Sequence, residues 1–362
     1  MLLESDLLYV LALQKIPGLG SITIKKLIEI YEDPKAIFED NRSHQKLIKG
    51  INKEVLKALD DSSILKAASS EIEFLKSNQI SPLYYKDKNY PFYLKQCIDG
   101  PVVLFKTGSF SFKQRNYLSI VGTRKCTEMG KSFCEALAYE LKPYNPVIVS
   151  GFAYGIDISA HEAALKNNLD TIACFAHGFN EVYPKAHKKY VTKIEAQGAI
   201  VSEFWSTSEL NRENFLKRNR IIAGLSPATL IVESAEKGGS LVTADIANSY
   251  DREVFAVPGN PYQIQSVGCN NLIKSQKAQL VSSPLDIPYL LNWKIEKELQ
   301  SKPQIELTNE ENRIFSNLKG IMDLEELAFK ADIPIYKLSS ILLSLELKKL
   351  VKPIPGRKIR KI

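Results

Sequence analysis

Tyr117-Leu118-Ser119-Ile120-Val121-Gly122-Thr123-Arg124, with Thr127 and Gly130 shortly after it, is the stretch on which the fold turns. Residues suited to a buried strand run into a glycine, a hydroxyl and an arginine, and helical spacing follows. That is the opening of a strand-loop-helix unit. The same alternation recurs downstream: runs rich in Val and Ile at Tyr117–Val121, Val147–Ser150, Thr171–Ala176, Ala199–Glu203, Thr229–Glu233 and Val254–Pro258 are separated by longer segments of helical periodicity. Such repetition predicts an α/β fold, a doubly wound, mostly parallel Rossmann-like sheet with helices on both faces. Right-handed crossovers then place every strand-to-helix loop at one edge of that sheet.

On the N-terminal side, residues 1–80 read as a small helical domain with helices at Asp6–Gln14, Ser21–Tyr31, Pro34–Glu39, Lys53–Leu59 and Ile64–Ser77. The punctuation is Ile16-Pro17-Gly18-Leu19-Gly20, Asp33-Pro34 and Lys49-Gly50. The Pro-Gly-Leu-Gly turn resembles a helix-hairpin-helix element, whose glycines let backbone N–H groups approach a phosphate. A tight turn that only packs fits as well, because Ile24 stands where that motif usually has alanine. The sheet domain is placed at residues 81–285, with 81–116 as an extension. Within it, Leu83 to Gly108 alternates aromatic and polar residues around prolines and reads as a connector leading to one strand. Beyond Pro284 a linker with Trp293 and Lys302-Pro303 leads to residues 305–362. There Ile314, Leu318, Leu324, Leu327, Leu338, Ile341, Leu342 and Leu345 mark three helical stripes, and Val351–Ile362 reads as a hairpin turning at Pro355-Gly356. Three helices and a hairpin outline a winged-helix-like domain. Its end carries Lys348, Lys349, Lys352, Arg357, Lys358, Arg360 and Lys361 and no acid.

The 362 residues, 44% apolar and 25% charged, are enough for two or three packed domains and too apolar for wholesale disorder. A net charge of +7 permits a polyanionic partner without requiring one. Five cysteines, Cys97, Cys126, Cys134, Cys174 and Cys269, form no Cys-x-x-Cys pair and are odd in number, which argues against a metal site and a disulfide framework. Leu7 to Leu13 is too short, and too acidic upstream, for a signal peptide. No apolar stretch approaches the roughly 20 residues that span a bilayer. The expectation is a cytoplasmic protein with no membrane partner.

The strand-end loops carry the chemistry. Gly122, Thr123 and Arg124 combine close backbone approach, a hydroxyl and a planar cationic fork, which together suit a phosphate. Ser150-Gly151-Phe152-Ala153-Tyr154-Gly155-Ile156-Asp157 offers small residues where a ligand can lie against backbone, ahead of His161, which reads as structural. Phe215-Leu216-Lys217-Arg218-Asn219-Arg220 places three cations before an apolar run, with Arg218 and Arg220 on different helix faces. Glu233-Ser234-Ala235-Glu236-Lys237-Gly238-Gly239-Ser240 again ends in glycines and a hydroxyl at a helix start. The candidate phosphate ligands are Gly122, Thr123, Arg124, Ser150, Gly151, Lys217, Arg218, Arg220, Gly239 and Ser240. Phe152, Tyr154 and Phe215 are candidate stacking surfaces, with Tyr183 nearby. Neither Gly-x-Gly-x-x-Gly nor the Walker sequence occurs, so a nicotinamide dehydrogenase and a P-loop ATPase are unsupported, and no cofactor or metal is expected.

Gly122-Thr123-Arg124, Ser150-Gly151, Gly155-Ile156-Asp157, Val182-Tyr183-Pro184, Ser202-Glu203, Arg218-Asn219-Arg220-Ile221-Ile222, Gly239-Ser240-Leu241-Val242-Thr243-Ala244 and Phe255-Ala256-Val257-Pro258-Gly259 follow one another in this order. In that order they resemble the DNA-processing protein A (DprA/Smf) family, over nearly the whole chain. The resemblance implies a single-stranded DNA-binding protein that protects incoming strands during natural transformation and helps load the RecA recombinase. It also implies a homodimer formed through the Rossmann-like domain, and a positive pocket built on Gly122, Thr123 and Arg124 with Lys217, Arg218 and Arg220. No catalytic residues carry over. Tyr154 departs from the family's frequent arginine and Leu216 from its proline. Ala176-His177 replace a Leu-Gly pair, and Leu272 to Val281 is a residue longer than the usual form and lacks its glycine. Two other readings stay open: a nucleotide-processing enzyme like the phosphoribohydrolases, whose Pro-Gly-Gly-x-Gly-Thr-x-x-Glu does not fit residues 237–245, and a duplex DNA-binding regulator acting through the winged helix.

Overall fold

The computed structural model describes residues 4–40, 51, 53–295, 307–318, 320–348 and 350–361; Lys49-Gly50, Lys302-Pro303 and Lys349 lie outside these. Two compact units result, Met1–Ile295 and Glu296–Ile362. The first is built on strands β1 (Ser81–Tyr84), β2 (Val103–Thr107), β3 (Tyr117–Val121), β4 (Val147–Ser150), β5 (Thr171–Cys174), β6 (Gly198–Ser202), β7 (Ala228–Ile231), β8 (Glu253–Ala256) and β9 (Gln279–Leu280). They form one sheet in the order β1-β2-β6-β5-β4-β3-β7-β8-β9. The pairs from β6 through β9 are parallel, while β1 with β2 and β2 with β6 are antiparallel.

Burial explains why these runs are strands. In β3 all five residues are buried, and alternate side chains enter different cores. Leu118 and Ile120 pack with Leu137, Ala160 and Ala163, whereas Tyr117 and Val121 face Ile221, Ile222 and Ala244. A sheet buried on both faces needs continuous apolar runs, and that is the signal the sequence carried. Residues 81–107 correct the expected connector: they supply two strands, not one, joined through the short helix Phe92–Lys95. Pro82 is tolerated there because β1 is an edge strand, where a missing N–H removes no ladder bond on the open side.

Helices Glu4–Lys15, Ser21–Tyr31, Pro34–Glu39, Lys53–Leu59 and Ser62–Ser77 pack beside this sheet. Val10, Leu13, Ile72 and Leu75 share one apolar core with Leu83, Val103 and Phe105. In the second unit, helices Asn309–Asn317, Leu324–Ala331 and Ile335–Leu347 surround a small sheet of β10 (Ile321–Asp323), β11 (Val351–Ile354) and β12 (Lys358–Lys361), ordered β10-β12-β11. Ile314, Leu327, Leu338, Leu345, Val351 and Ile359 form its core. Among the described residues no helix is long and apolar enough to cross a membrane.

Candidate functional site

Strand β3 has β4 on one side and β7 on the other, so the chain leaves this point of the sheet toward opposite edges. Loops that diverge in this way open a crevice beyond the carboxyl ends of the strands, where open α/β sheets bind ligands. A cavity of about 630 Å³ occupies that position. Gly122, Thr123 and Arg124 enter it from the loop after β3, Ala153 and Asp157 from the loop and helix after β4, and Ser234, Lys237, Gly239 and Ser240 from the segment after β7. Helix Arg212–Leu225 closes it with Arg212, Phe215, Leu216, Arg218 and Asn219.

Backbone bonds lace the three loops together. The N–H of Thr123 donates to the Glu233 carbonyl at 2.7 Å, and the N–H of Ile156 to the Thr123 carbonyl at 3.2 Å. Gly155 adopts a φ of +80°, and a side chain there would strike the Thr123 carbonyl, so only glycine permits this crossing. The two nearby helix starts differ. Helix Glu128–Glu140 is capped: the Thr127 hydroxyl accepts from the Gly130 N–H at 3.3 Å, and Glu233 in turn accepts from the Thr127 N–H at 2.8 Å. Helix Gly239–Ser249 has Gly238 before it and no capping side chain. Its first N–H groups, with the partial positive charge of the helix end, therefore face the cavity for an anion.

Arg124, Arg212, Arg218 and Lys237 against the single carboxylate of Asp157 make the lining positive. Arg124 is exposed and stands 5.0 Å from the centroid of the Phe215 ring, which orients its guanidinium toward the cavity mouth. Arg218 is only 4% exposed. One of its Nη atoms donates to the Cys174 carbonyl at 2.5 Å, while its Nε has no partner. Asp157 is 6% exposed beside it; a side chain on Gly151 would fall on both groups, which accounts for that glycine. Burial pushes the Asp157 carboxyl up to about 6, more than the attraction of Arg218 and the Ala153 N–H bond pull it down. Arg218 lies with this acid in a poorly hydrated wall, where a charge acts strongly.

The structure brings together Gly122, Thr123, Arg124, Phe215, Arg218, Gly239 and Ser240. The other six candidates lie outside this lining. Ser150 is fully buried and its hydroxyl donates to the Ile120 carbonyl at 2.6 Å, leaving it no reach to a phosphate. Phe152, 2% exposed, packs against Phe175 and His187 at 5.0 and 5.4 Å between centroids and is not a stacking surface. Lys217 and Arg220 point away from this cavity toward a second one, and Arg220 is bound to Glu203 and the Asp99 carbonyl. Gly151 lies beneath the floor and makes room for its charges. Tyr154 is half-exposed against His187, outside the lining, whereas Tyr183 lines the cavity 6.0 Å from Phe215.

Sequence reasoning did not single out Asp157, Arg212, Lys237 or Asn219. The side-chain amide of Asn219 donates to the Gly239 carbonyl at 3.2 Å and ties helix Arg212–Leu225 to the open helix start. The available signal was positional for three of them: Lys237 precedes Gly238, Asn219 lies between Arg218 and Arg220, and Asp157 closes the Gly155-Ile156-Asp157 motif, whereas nothing local marked Arg212. His161 is structural: it is fully buried between the Thr171 hydroxyl and the Gly151 carbonyl, and burial lowers it to about 4.

In the C-terminal unit much of the basic character is already partnered. Lys348 contacts the buried Glu311 at 2.7 Å, Lys361 lies 3.8 Å over the Phe315 ring, and Arg357 faces Glu325 at 3.7 Å. The third helix instead exposes Tyr336, Leu343 and Leu347.

Comparison with known proteins gives a consistent match. The family model described as DNA recombination-mediator protein A covers residues 81–292. Protein Smf of Synechocystis is 31% identical over 323 residues, which is 85% of this chain and 80% of the relative. DNA processing protein DprA of Streptococcus pneumoniae is 36% identical over 229 residues, 63% and 77% of the two chains. The X-ray structure of DprA from Streptococcus pneumoniae superposes with a TM-score of 0.63 at 29% identity, covering 81% of this chain and 99% of that one. A DprA structure from Helicobacter pylori, concerned with single-stranded DNA binding, gives a TM-score of 0.53 at 29% identity over 60% and 98%.

Proposed function

We propose, on the premise that this chain belongs to the DNA recombination-mediator protein A family, that its cavity beside β3 binds single-stranded DNA. The observation that carries this reading is the convergence in one crevice of an open helix start at Gly239, the cations Arg124 and Arg218, and the rings of Phe215 and Tyr183. Phosphates meet the first two and bases stack on the rings, a sequence-tolerant mode suited to any strand. In the cell the protein protects incoming strands in the cytoplasm, acts as a homodimer through the Rossmann-like domain, and helps load RecA recombinase in natural transformation. The family resemblance supports those last steps. The exposed apolar face of helix Ile335–Leu347 favours a protein partner over base-edge readout for the C-terminal unit.

The test is fluorescence anisotropy with homopolymeric single strands and with duplex at two salt concentrations. Single strands should bind more tightly, with affinity falling steeply as salt rises. Arg124→Ala, at an exposed position, should weaken single-strand binding without loss of fold. Preference for duplex would overturn the reading. Release of free base from nucleoside monophosphates would replace it with nucleotide processing.

A further inference from the structure

We propose that a second cavity, on the opposite face of helix Arg212–Leu225, takes another nucleotide of the same strand, its phosphate at the Pro17-Gly18-Leu19-Gly20 turn. This rests on the single-strand reading above and extends the DNA path onto the N-terminal helices. Phe215, Leu216, Arg218 and Asn219 line the first cavity, whereas Lys217 and Arg220, rotated to the other side of the helix, line the second. Its volume is about 690 Å³, and Lys15, Gly20, Ile22 and Trp205 complete its walls.

Each acid in this cavity has a partner on one oxygen. Arg220 binds Glu203, and Asp99 accepts from the Tyr250 hydroxyl. Lys15 and Lys217 remain. Both are exposed, Lys15 has its ammonium 5.1 Å from the Trp205 ring centroid, and Lys217 has no carboxylate at ion-pair distance among the described residues. Helix Ser21–Tyr31 begins at Gly20 without a capping side chain, and a methyl group added at Gly20 would meet nothing, so its first N–H groups are open to approach. Lysines and a helix start provide for a phosphate.

An independent observation points to more than a phosphate. Trp205 is 6% exposed and its Nε1 donor has no partner. Glu203 Oε1 and Gln14 Oε1, acceptors in the same wall, also have none. Buried polar atoms without partners are uncommon and call for a ligand that supplies the bonds. A phosphate could satisfy the donor but not the acceptors. A nucleobase edge, with ring acceptors beside an exocyclic amino group, matches both.

Trp293→Phe leaves Trp205 as the only tryptophan of the two in the chain, so its emission reports on this cavity. In that background, homopolymers of about four and about sixteen nucleotides bracket the site sizes of single-strand grooves. The long strand should quench Trp205 and the short one should not. Lys15→Ala with Lys217→Ala should abolish the quenching and lower the salt slope for the long strand by about 0.7 per lost phosphate contact, leaving short-strand affinity unchanged. Quenching that survives in the double variant, or equal loss on both lengths, overturns the proposal. If both lengths bind without quenching Trp205, this inference alone fails. If neither binds, the single-strand reading fails and takes this one with it.

Discussion

Arg218 and Arg220 stand two positions apart on one helix, and the regions they face treat the same side chain in opposite ways. Toward the N-terminal helices, Arg220 is bound to the buried carboxylate of Glu203 and to the Asp99 carbonyl, so its charge serves the fold. Toward the crevice beside β3, Arg218 donates to a neutral carbonyl, its Nε is unpaired, and no carboxylate stands at ion-pair distance from it among the described residues. A cation is available to a ligand only to the extent that the fold leaves it uncompensated. Counting basic residues cannot distinguish the two cases; their surroundings can.

The largest effect that would sharpen this contrast is on stability. Arg220→Met leaves the largely buried Glu203 without its ion-pair partner, and removing one partner of such a pair costs up to about 3–5 kcal/mol. Scanning calorimetry should show a midpoint lower by roughly 10 °C. Affinity of the folded protein for a short homopolymer should be nearly unchanged. A melting curve equal to that of the parent would break the comparison at once.

Arg218→Met should do the reverse where it counts. Loss of a charge-assisted bond worth about 1.5–3 kcal/mol predicts at least a roughly tenfold weaker complex with the short strand, measured by anisotropy at a temperature where circular dichroism confirms the fold. Wild-type affinity in this variant would assign Arg218 to structure alone.

Asp157 gives a pH test of the same wall. Its folded pKa is raised to about 6, so the neutral form is favoured in the fold. The associated stability is complete below the ordinary carboxyl range and is lost as pH rises through about 6. Discharging Asp157 also removes the cavity's only lining carboxylate, so strand affinity should rise several-fold as pH falls from 7.5 to 5.5. In Asp157→Asn that part of the pH dependence should vanish; an identical profile would exclude Asp157 as its source. Phe215→Leu removes the ring under Arg124 and, with it, a stacking surface of the groove. At about 1–3 kcal/mol per stacked base, it predicts at least a roughly fivefold loss of affinity in titration.

How far the sequence could be read follows from the kind of signal. Parallel strands β3 to β8 were legible because burial on both faces demands unbroken apolar runs, and their ends moved by no more than two residues, whereas β9, two exposed residues long, carries no such run and was missed. The β1–β2 hairpin was not, since Pro82 and the mixed aromatic-polar pattern of an edge are equally those of a connector. Gly122, Thr123, Arg124, Gly239 and Ser240 were legible as loop residues that suit phosphates. Ser150 and Phe152 misled because a loop has no period from which to infer direction. Phe152 turns inward onto Phe175 and His187, residues far along the chain.

Sequence alone determined the repeated strand-loop-helix units, the placing of their loops on one sheet edge, and the ordered motifs of the family, because periodicity and turn chemistry act over a few residues. Tertiary structure decided which loops share a crevice, through the order of β4, β3 and β7, and which helix start stays uncapped. It also decided which of two neighbouring arginines is held in an ion pair. The reason is physical: electrostatic compensation depends on distance and burial in space, and the partners of Arg218 and Arg220 come from Asp157, Cys174, Glu203 and Asp99, which no local pattern brings near.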